Sequence, residues 1–458
     1  MMAIDFPELA AIRLGYGLSP NQPPPADAAA VLASVPRAQS MAMPTTMADY
    51  RRDFERWQVI RKAQEKADTA PNRAAFQRIR QGMAQKPEID LMRRIARAAI
   101  DPAGFGERLV QFWADHFTVR SKNFVSHVLV SAFVDEAIRP NLSGSFADML
   151  KAATTHPAML LYLDHNGSTG PNSVFARRRP ERRLGLNENL ARELVELHTL
   201  GVGADYSQTD VRELAELMTG MGFQPTGDRI YRPDRAEPGA EQLLGRSYGG
   251  RGTDGMGEIR RMLDDLARHP ATASHLSRKL AVHFLSDDPS PDAVAVLETA
   301  WRDSDGNLPT IYRALVEHPE LEATFRQKAR QPFDFIVAAV RALGLDPLRV
   351  QRMEQKPRRR DFVNPMRRMG QAWQQPVGPD GWAERADDWI SPQGLAARID
   401  WALDLPGRFL DPLPDPRILL KQALGSTVSP ALAAAVPRAE SEAEGIALIL
   451  ASADFNRR

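Results

Sequence analysis

The sequence predicts a mostly α protein, a single large multi-helical domain over residues 1–458 with a small β-hairpin near 221–245. Three observations predict it. Apolar residues recur at helical spacing in segment after segment, as in helices that bury one face. Strand signals are thin. Helical patterns resume on both sides of every long polar stretch, which favours one helical body over a string of modules.

In order along the chain, residues 46–69 read as a highly charged helix with a sparse apolar stripe of Tyr50, Phe54, Trp57, Val59 and Ile60. A second helix starts near 73 and stops at Pro87, because proline lacks the amide hydrogen and clashes in a helix interior. A third covers 88–100, and GERLVQFWADHFTV (106–119) forms a strongly apolar fourth. Helices also fit 126–139, 145–153, 187–200, 208–220, 256–268, 271–286, 291–303, 308–317, 331–343, 392–404, 416–422 and 440–452. The hairpin is placed by Phe223, Ile230 and Tyr231 around the turn residues Pro225, Thr226, Gly227 and Asp228. Pro20–Ala26 reads as a proline-rich connection. Residues 166–186 and 345–382 read as long loops, the first dense in arginine, the second holding KPRRR at 356–360. HPELEATFRQK (318–328) and SADFNRR (452–458) echo one another weakly and read as a shared helix-ending device, not a repeat period.

Composition excludes several classes. Lys plus Arg (59) balance Asp plus Glu (58), which argues against a global field for nucleic acid or membrane. The absence of cysteine rules out disulfides, thiolate nucleophiles and cysteine-bound metal. No apolar run approaches membrane-spanning length. The N-terminus shows no basic stretch followed by an apolar one, so the sequence predicts no signal peptide and a cytoplasmic location.

The densest polar pattern is LGLNENLARELVELHTLGV (184–202). Asn187 suits a helix N-cap, and Glu188 sits where the helix dipole favours an anion. Leu190, Leu194 and Leu197 share a face; Asn189, Glu193 and Glu196 share the neighbouring stripe. Glu188 and Arg192 stand i,i+4 and pair. His198 borders the apolar face, and Gly201 and Gly203 end the helix. Paired carboxylates can act as acid and base or ligate a hard cation. Glu193 and Glu196 are therefore catalytic candidates, with Asn189 and Arg192 as ligand-binding ones. The competing reading is a solvated, salt-bridged helix face. The Glu-x-x-His pairs of a di-iron bundle are missing, so no metal is predicted.

His116 projects between Leu109, Phe112 and Trp113, either as a satisfied core residue or as a pocket lining; Asp115 points elsewhere. Asp164, His165 and Asn166 either gather around a ligand or simply end a helix. No H-E-x-x-H, nucleophile elbow, phosphate loop or dinucleotide fingerprint is present. In the loop 166–186, Arg177, Arg178, Arg179, Arg182 and Arg183 offer planar forks for carboxylate or phosphate, with Arg179 and Arg182 as binding candidates. The loop reads either as a lid over the acidic helix or as a solvated segment. Trp373, Trp382 and Trp389, interleaved with Pro376, Pro379 and Pro392, form either a sugar- or peptide-binding platform or a cap on the core.

RLGYGLSP (13–20), FWADHFTV (112–119), HPAMLLYLD (156–164), NENLARELVELHTLGV (187–202), TGMGF (219–223) and the block 369–398 occur in an order that resembles the bacterial family catalogued as domain of unknown function 1800. The resemblance implies no settled activity and no known cofactor. It implies a possible partner, since relatives are often encoded beside an alkaline-phosphatase-like secreted family. Many relatives are exported, whereas this N-terminus shows no signal, and His165 departs from the family pattern. Two readings stay open. One is a hydrolase- or lyase-type enzyme using Glu193 and Glu196, with His116 and His198 as auxiliaries. The other is a non-catalytic binding or assembly protein acting with the phosphatase-like partner.

Overall fold

A computed structural model describes residues 4–41, 44–182, 184–225, 227, 230–250 and 252–458. It is mostly helical, with one two-stranded antiparallel sheet among the described residues. No described helix is long and apolar enough to cross a membrane.

The long helices form where the sequence periodicity places them. Met47–Lys66 opens on a capping box of Thr46 and Asp49. Phe105–His116, Gly255–Ala267, Pro270–Phe284, Pro291–Asp303, Pro332–Ala342 and Pro392–Asp404 follow. Many start with proline in the first turn, where its missing amide hydrogen is no loss. Short helices the periodicity does not reveal fill the N-terminus: Phe6–Arg13, Ala28–Leu32 and Ser34–Ser40.

The small hairpin is present, and the reading of 345–382 as a loop needs correction. The strands are Ala240–Leu243 and Arg246–Gly249, turning at Leu244–Gly245, so the regular hairpin lies at the far edge of the expected window and beyond it. Within 221–231 there is a looser pairing: Met221 bridges Tyr231, and the Gly222 amide donates to Ile230. Of the expected turn residues, Thr226 and Asp228 lie outside the described residues. The stretch 345–382 is not one loop, for helices cover Pro347–Gln351 and, with a π turn at Arg359–Val363, Gln355–Arg368. Pro347 and Pro365 stand at helix starts, and Val350, Phe362 and Met366 bury an apolar stripe. The arginines of KPRRR are paired within the protein: Arg358 and Arg359 with Glu88, Arg360 with Asp361.

Buried apolar residues form two clusters. The larger is built from the N-terminal helices and residues 105–321. The smaller joins Leu91–Ala99 to residues 333–455. Buried arginines tie them together. Arg13 donates to the carbonyls of Leu285, Leu321 and Arg458, and Arg341 to those of Gly17, Ala99, Asp101 and Pro102. A carbonyl taken out of water needs such a donor, and a guanidinium supplies several at fixed angles. The echoing segments meet directly: the Arg330 amide donates to Asn456 and the Arg458 amide to Lys328.

Candidate functional site

The helix Phe105–His116 has two polar aspects. Arg108, Gln111 and Asp115 stand at i, i+3 and i+7 and share one side. That side, with Phe112, walls a cavity of about 90 Å³. Opposite stand Phe333 and Asp334 from the helix Pro332–Ala342, His283 from the end of Pro270–Phe284, and Arg94 from Lys86–Ile100. Gln371, Trp373, Gln374 and Trp382 close it. The cavity thus lies where the two apolar clusters meet, a common place for a ligand site.

Asp115 is half-buried and touches the cavity. Burial pushes its carboxyl up to about 8, helped by the nearby charges of Glu384 and Asp380 and opposed by the Trp382 amide and Lys279. The Trp382 N–H reaches both carboxyl oxygens at 3.1 Å. Gly381 makes this approach possible. Its φ is +89°, and a Cβ there would fall 2.6 Å from Asp115 Oδ2.

His283 is held at both nitrogens. Nε2 lies 3.1 Å from Arg108 Nη2, and Nδ1 lies 2.6 Å from Glu384 Oε1. Arginine only donates, so Nε2 accepts and the proton sits on Nδ1, facing Glu384. Burial alone would raise the Glu384 carboxyl; the His283 N–H and the Lys328 ammonium outweigh it and hold it down at about 2. Lys328 also pairs with Asp287 at 2.5 Å. Asp334 lies 3.9 Å from Arg108 and 3.5 Å from Arg458.

Several residues of the wall carry buried polar atoms without a hydrogen bond. Arg94 bonds Asp90 through Nε, but Nη1 and Nη2 are buried without a hydrogen bond. Trp373 Nε1 is a buried donor and Gln374 Oε1 a buried acceptor, each without a partner. Gln374 also holds φ at +56°, uncommon for a residue with a side chain. Its amide nitrogen is fixed by Asp90 and Ser131.

The catalytic and ligand-binding candidates His116, His198, Asn189, Arg192, Glu193, Glu196, Arg179 and Arg182 do not line this cavity. His116 and His198 are each 2% exposed, and His116 Nε2 is 3.3 Å from the His198 carbonyl oxygen. Burial and the nearby Lys279 charge lower both imidazoles, His198 to about 3. The helix after Asn187 begins at Asn189 with Glu188, not Asn187, at the cap position, and Asn187 Oδ1 accepts from the Asn189 amide at 2.9 Å. Its second half, Leu194–His198, is a π turn, which inserts a residue and rotates His198 inward. Arg192 bridges Glu188 (3.4 Å) and Glu196 (3.2 Å) and bonds Gln208. Glu193 is half-buried, its carboxyl raised by burial, Glu196 and Asp380. Asn189 is exposed.

In the loop 166–186, Arg179 stacks on Phe175 at 4.0 Å, with Arg235 at 4.2 Å, and Arg182 is exposed. Arg183 lies outside the described residues. The loop is pinned to residues 235–237 through Gly170 and Asn172, and no contact joins Arg179 or Arg182 to Glu193 or Glu196 among the described residues. His165 bonds the Met218 carbonyl, Asp164 pairs with Lys122 and Asn166 accepts from Phe223, so this group organises the chain turn. Trp373 and Trp382 wall the cavity, whereas Trp389 is buried and caps the core. A separate acidic group, Glu213, Glu216 and Glu241, brings carboxylate oxygens within 4.8 Å; burial and Glu213 raise Glu241 to about 8.

The fold and cavity define a helical protein with a carboxylic acid and a fixed imidazole–arginine pair around one small cavity. The chain belongs to the family described as protein of unknown function (DUF1800), whose model matches residues 10–457. It matches no curated protein and no solved structure.

Proposed function

We propose that the chain is an enzyme of hydrolase or lyase type whose site is the cavity beside Asp115, acting on an uncharged, polar substrate. One observation carries the reading: Asp115, whose carboxyl burial pushes up to about 8, sits on the wall of a cavity lined by amide, aromatic and internally paired charged side chains. Such a group donates a proton at neutral pH, where an ordinary carboxylate has none to give. In hydrolysis, the bond to the leaving oxygen breaks as the Asp115 proton passes to it. Water then supplies hydroxyl to the other fragment and returns a proton to Asp115. His283 keeps Arg108 aimed across the cavity, and Glu384 fixes the imidazole. Glu193, Glu196, His116 and His198 form an adjoining polar layer, in which Glu193 adds negative charge near Asp380 and the two imidazoles stay neutral beside Lys279.

The test is turnover of aryl glycosides, carboxylic esters and phosphomonoesters between pH 5 and 10. The expected result is activity on one class that falls as pH rises through about 8 and drops at least about 100-fold in Asp115→Asn, the usual scale of general acid catalysis. Activity indifferent to that substitution would remove Asp115 from the chemistry. Ligand-induced stabilisation without turnover, abolished by Asp115→Asn, would favour the binding reading.

A further inference from the structure

The cavity beside Asp115 has neighbours. A second pocket of about 310 Å³ is lined by Pro87, Arg120, Ser121, His127, Trp373 and Gln374. A third, of about 500 Å³, is walled by Tyr50, Phe54, Trp57, Phe124 and Tyr162. Each shares residues with the other two. Trp373 and Gln374 line the first and second, Arg120 and Ser121 the second and third, Val119 and Val130 the first and third. Shared walls set the three side by side. The inner cavity alone is smaller than the roughly 300–1,000 Å³ of ordinary ligand sites, and the two outer pockets fall inside that range.

We propose that the ligand is an extended chain of neutral, hydroxyl-bearing rings, an oligosaccharide, with one end at Asp115 and successive units running past Trp373 to Trp57. This inference rests on the cavity beside Asp115 being the active site.

Three observations favour this occupant. The first is the run of aromatic residues lining the pockets: Trp382 and Trp373 in the inner, then Phe124, Tyr162 and Trp57 in the outer. A sugar ring lays its C–H face on such a surface. The second is charge. The charged groups of the pockets are mostly paired within the protein: Arg94 with Asp90, Arg108 with Asp334, Lys122 with Asp164. Arg120 is bonded to the Pro376 carbonyl. An ionic ligand would have to break these pairs; a neutral one does not. The third is the unused hydrogen bonding. Trp373 and Trp57 hold buried donors without a hydrogen-bond partner, and Gln374 holds a buried acceptor. A hydroxyl both donates and accepts and so answers either kind.

The last point separates a sugar chain from a proline-rich peptide, which also docks in aromatic-lined grooves. Proline residues offer carbonyl acceptors and no N–H, so they leave Gln374 Oε1 unanswered. An extended peptide would pair with a strand edge, and the described strands, Ala240–Leu243 and Arg246–Gly249, do not line the pockets.

The experiment is titration calorimetry of the full chain with linear gluco-, manno- and N-acetylglucosamine oligomers of one, two, four and six units, and with decaproline. In at least one series Kd falls tenfold or more between one unit and four. Trp57→Ala abolishes that gain; Trp57→Phe, which keeps a ring face, retains most of it. Circular dichroism melts of both variants separate this from unfolding, and Tyr162→Ala is the second probe of the outer pocket. Affinity independent of length in every series, absence of binding by all of them, or tighter binding of decaproline would overturn the oligosaccharide. Loss of turnover in Asp115→Asn is a separate readout. Asp115-dependent turnover without length dependence would sink the extended ligand and keep the active site, and turnover indifferent to Asp115 would sink the active site itself.

Discussion

At the scale of single residues, environment decides what a carboxyl does. Asp115 and Glu384 lie near the same cavity with opposite fates. Burial dominates at Asp115, while an imidazole N–H and an ammonium dominate at Glu384. The raised group has a thermodynamic signature. Between pH 3.8 and about 8 the folded protein holds the Asp115 proton that the unfolded chain has released. The stability this group contributes is full below 3.8 and is lost as pH rises through 8. Asparagine cannot titrate, so Asp115→Asn should gain on the native protein as pH rises across that window. The ceiling is about 1.4 kcal/mol per pH unit, lowered by solvent entering the cavity. Urea unfolding of both proteins at pH 5 and pH 9 measures it; a difference that does not change with pH would contradict the buried acid.

Part of this residue pattern was legible in the chain. Arg108, Gln111 and Asp115 already stand at i, i+3 and i+7, and a polar stripe on an apolar helix is a signal for a lined cavity. The Glu188–Arg192 pair was legible for the same reason, since both partners share one helix. The partners of Asp115 and His283 were not. Trp382 and Glu384 arrive from more than a hundred residues downstream, and nothing local marks them.

At the scale of elements, the segment Gly378–Trp382 is the piece that completes the site. Gly378 and Gly381 bridge, Trp382 gives its amide to Asp115, and the same strand of chain carries Glu384 to His283 and Lys328. Gly381→Ala meets two obstacles, a φ of +89° and the Asp115 carboxyl. It should destabilise the protein by about 1–3 kcal/mol. By moving the Trp382 amide away it should also raise the Asp115 carboxyl further, because a hydrogen bond to the charged form is lost. Denaturant unfolding and its pH dependence report both, and an unchanged midpoint would show that the loop tolerates a side chain there.

The long helices were legible because they bury one face at a steady period. The misread elements fail that condition. Short proline-led helices, such as those in 347–368, have too few turns to show a period. The π turns at Val134–Ile138, Leu194–His198 and Arg359–Val363 break the period outright. The projection of Glu193, Glu196 and His198 onto a regular helix wheel fails at the second of these, which is why His198 faces the core beside His116.

At the scale of the whole molecule, mostly helical architecture followed from composition and period, while the arrangement of two apolar clusters did not. Their boundary runs through contacts between residues hundreds of positions apart, such as Arg13 with Arg458 and Arg341 with Gly17. These contacts are main-chain carbonyls captured by guanidinium groups, a pairing that leaves no mark in hydropathy.

The reach of Arg13 and Arg341 has a practical consequence for a severed chain. Arg177 and Arg178 are exposed and open to trypsin. A cut there would part the first 177 or so residues from the rest, yet Arg13 would still grip Leu285 and Leu321, and Arg341 would still grip Ala99 and Asp101. The nicked protein should therefore elute from a sizing column at its original volume and split into two bands only on a denaturing gel. Expressed separately, the halves should find each other and restore one particle; pieces that stay apart would show that peptide continuity, not these clasps, holds the two clusters in register.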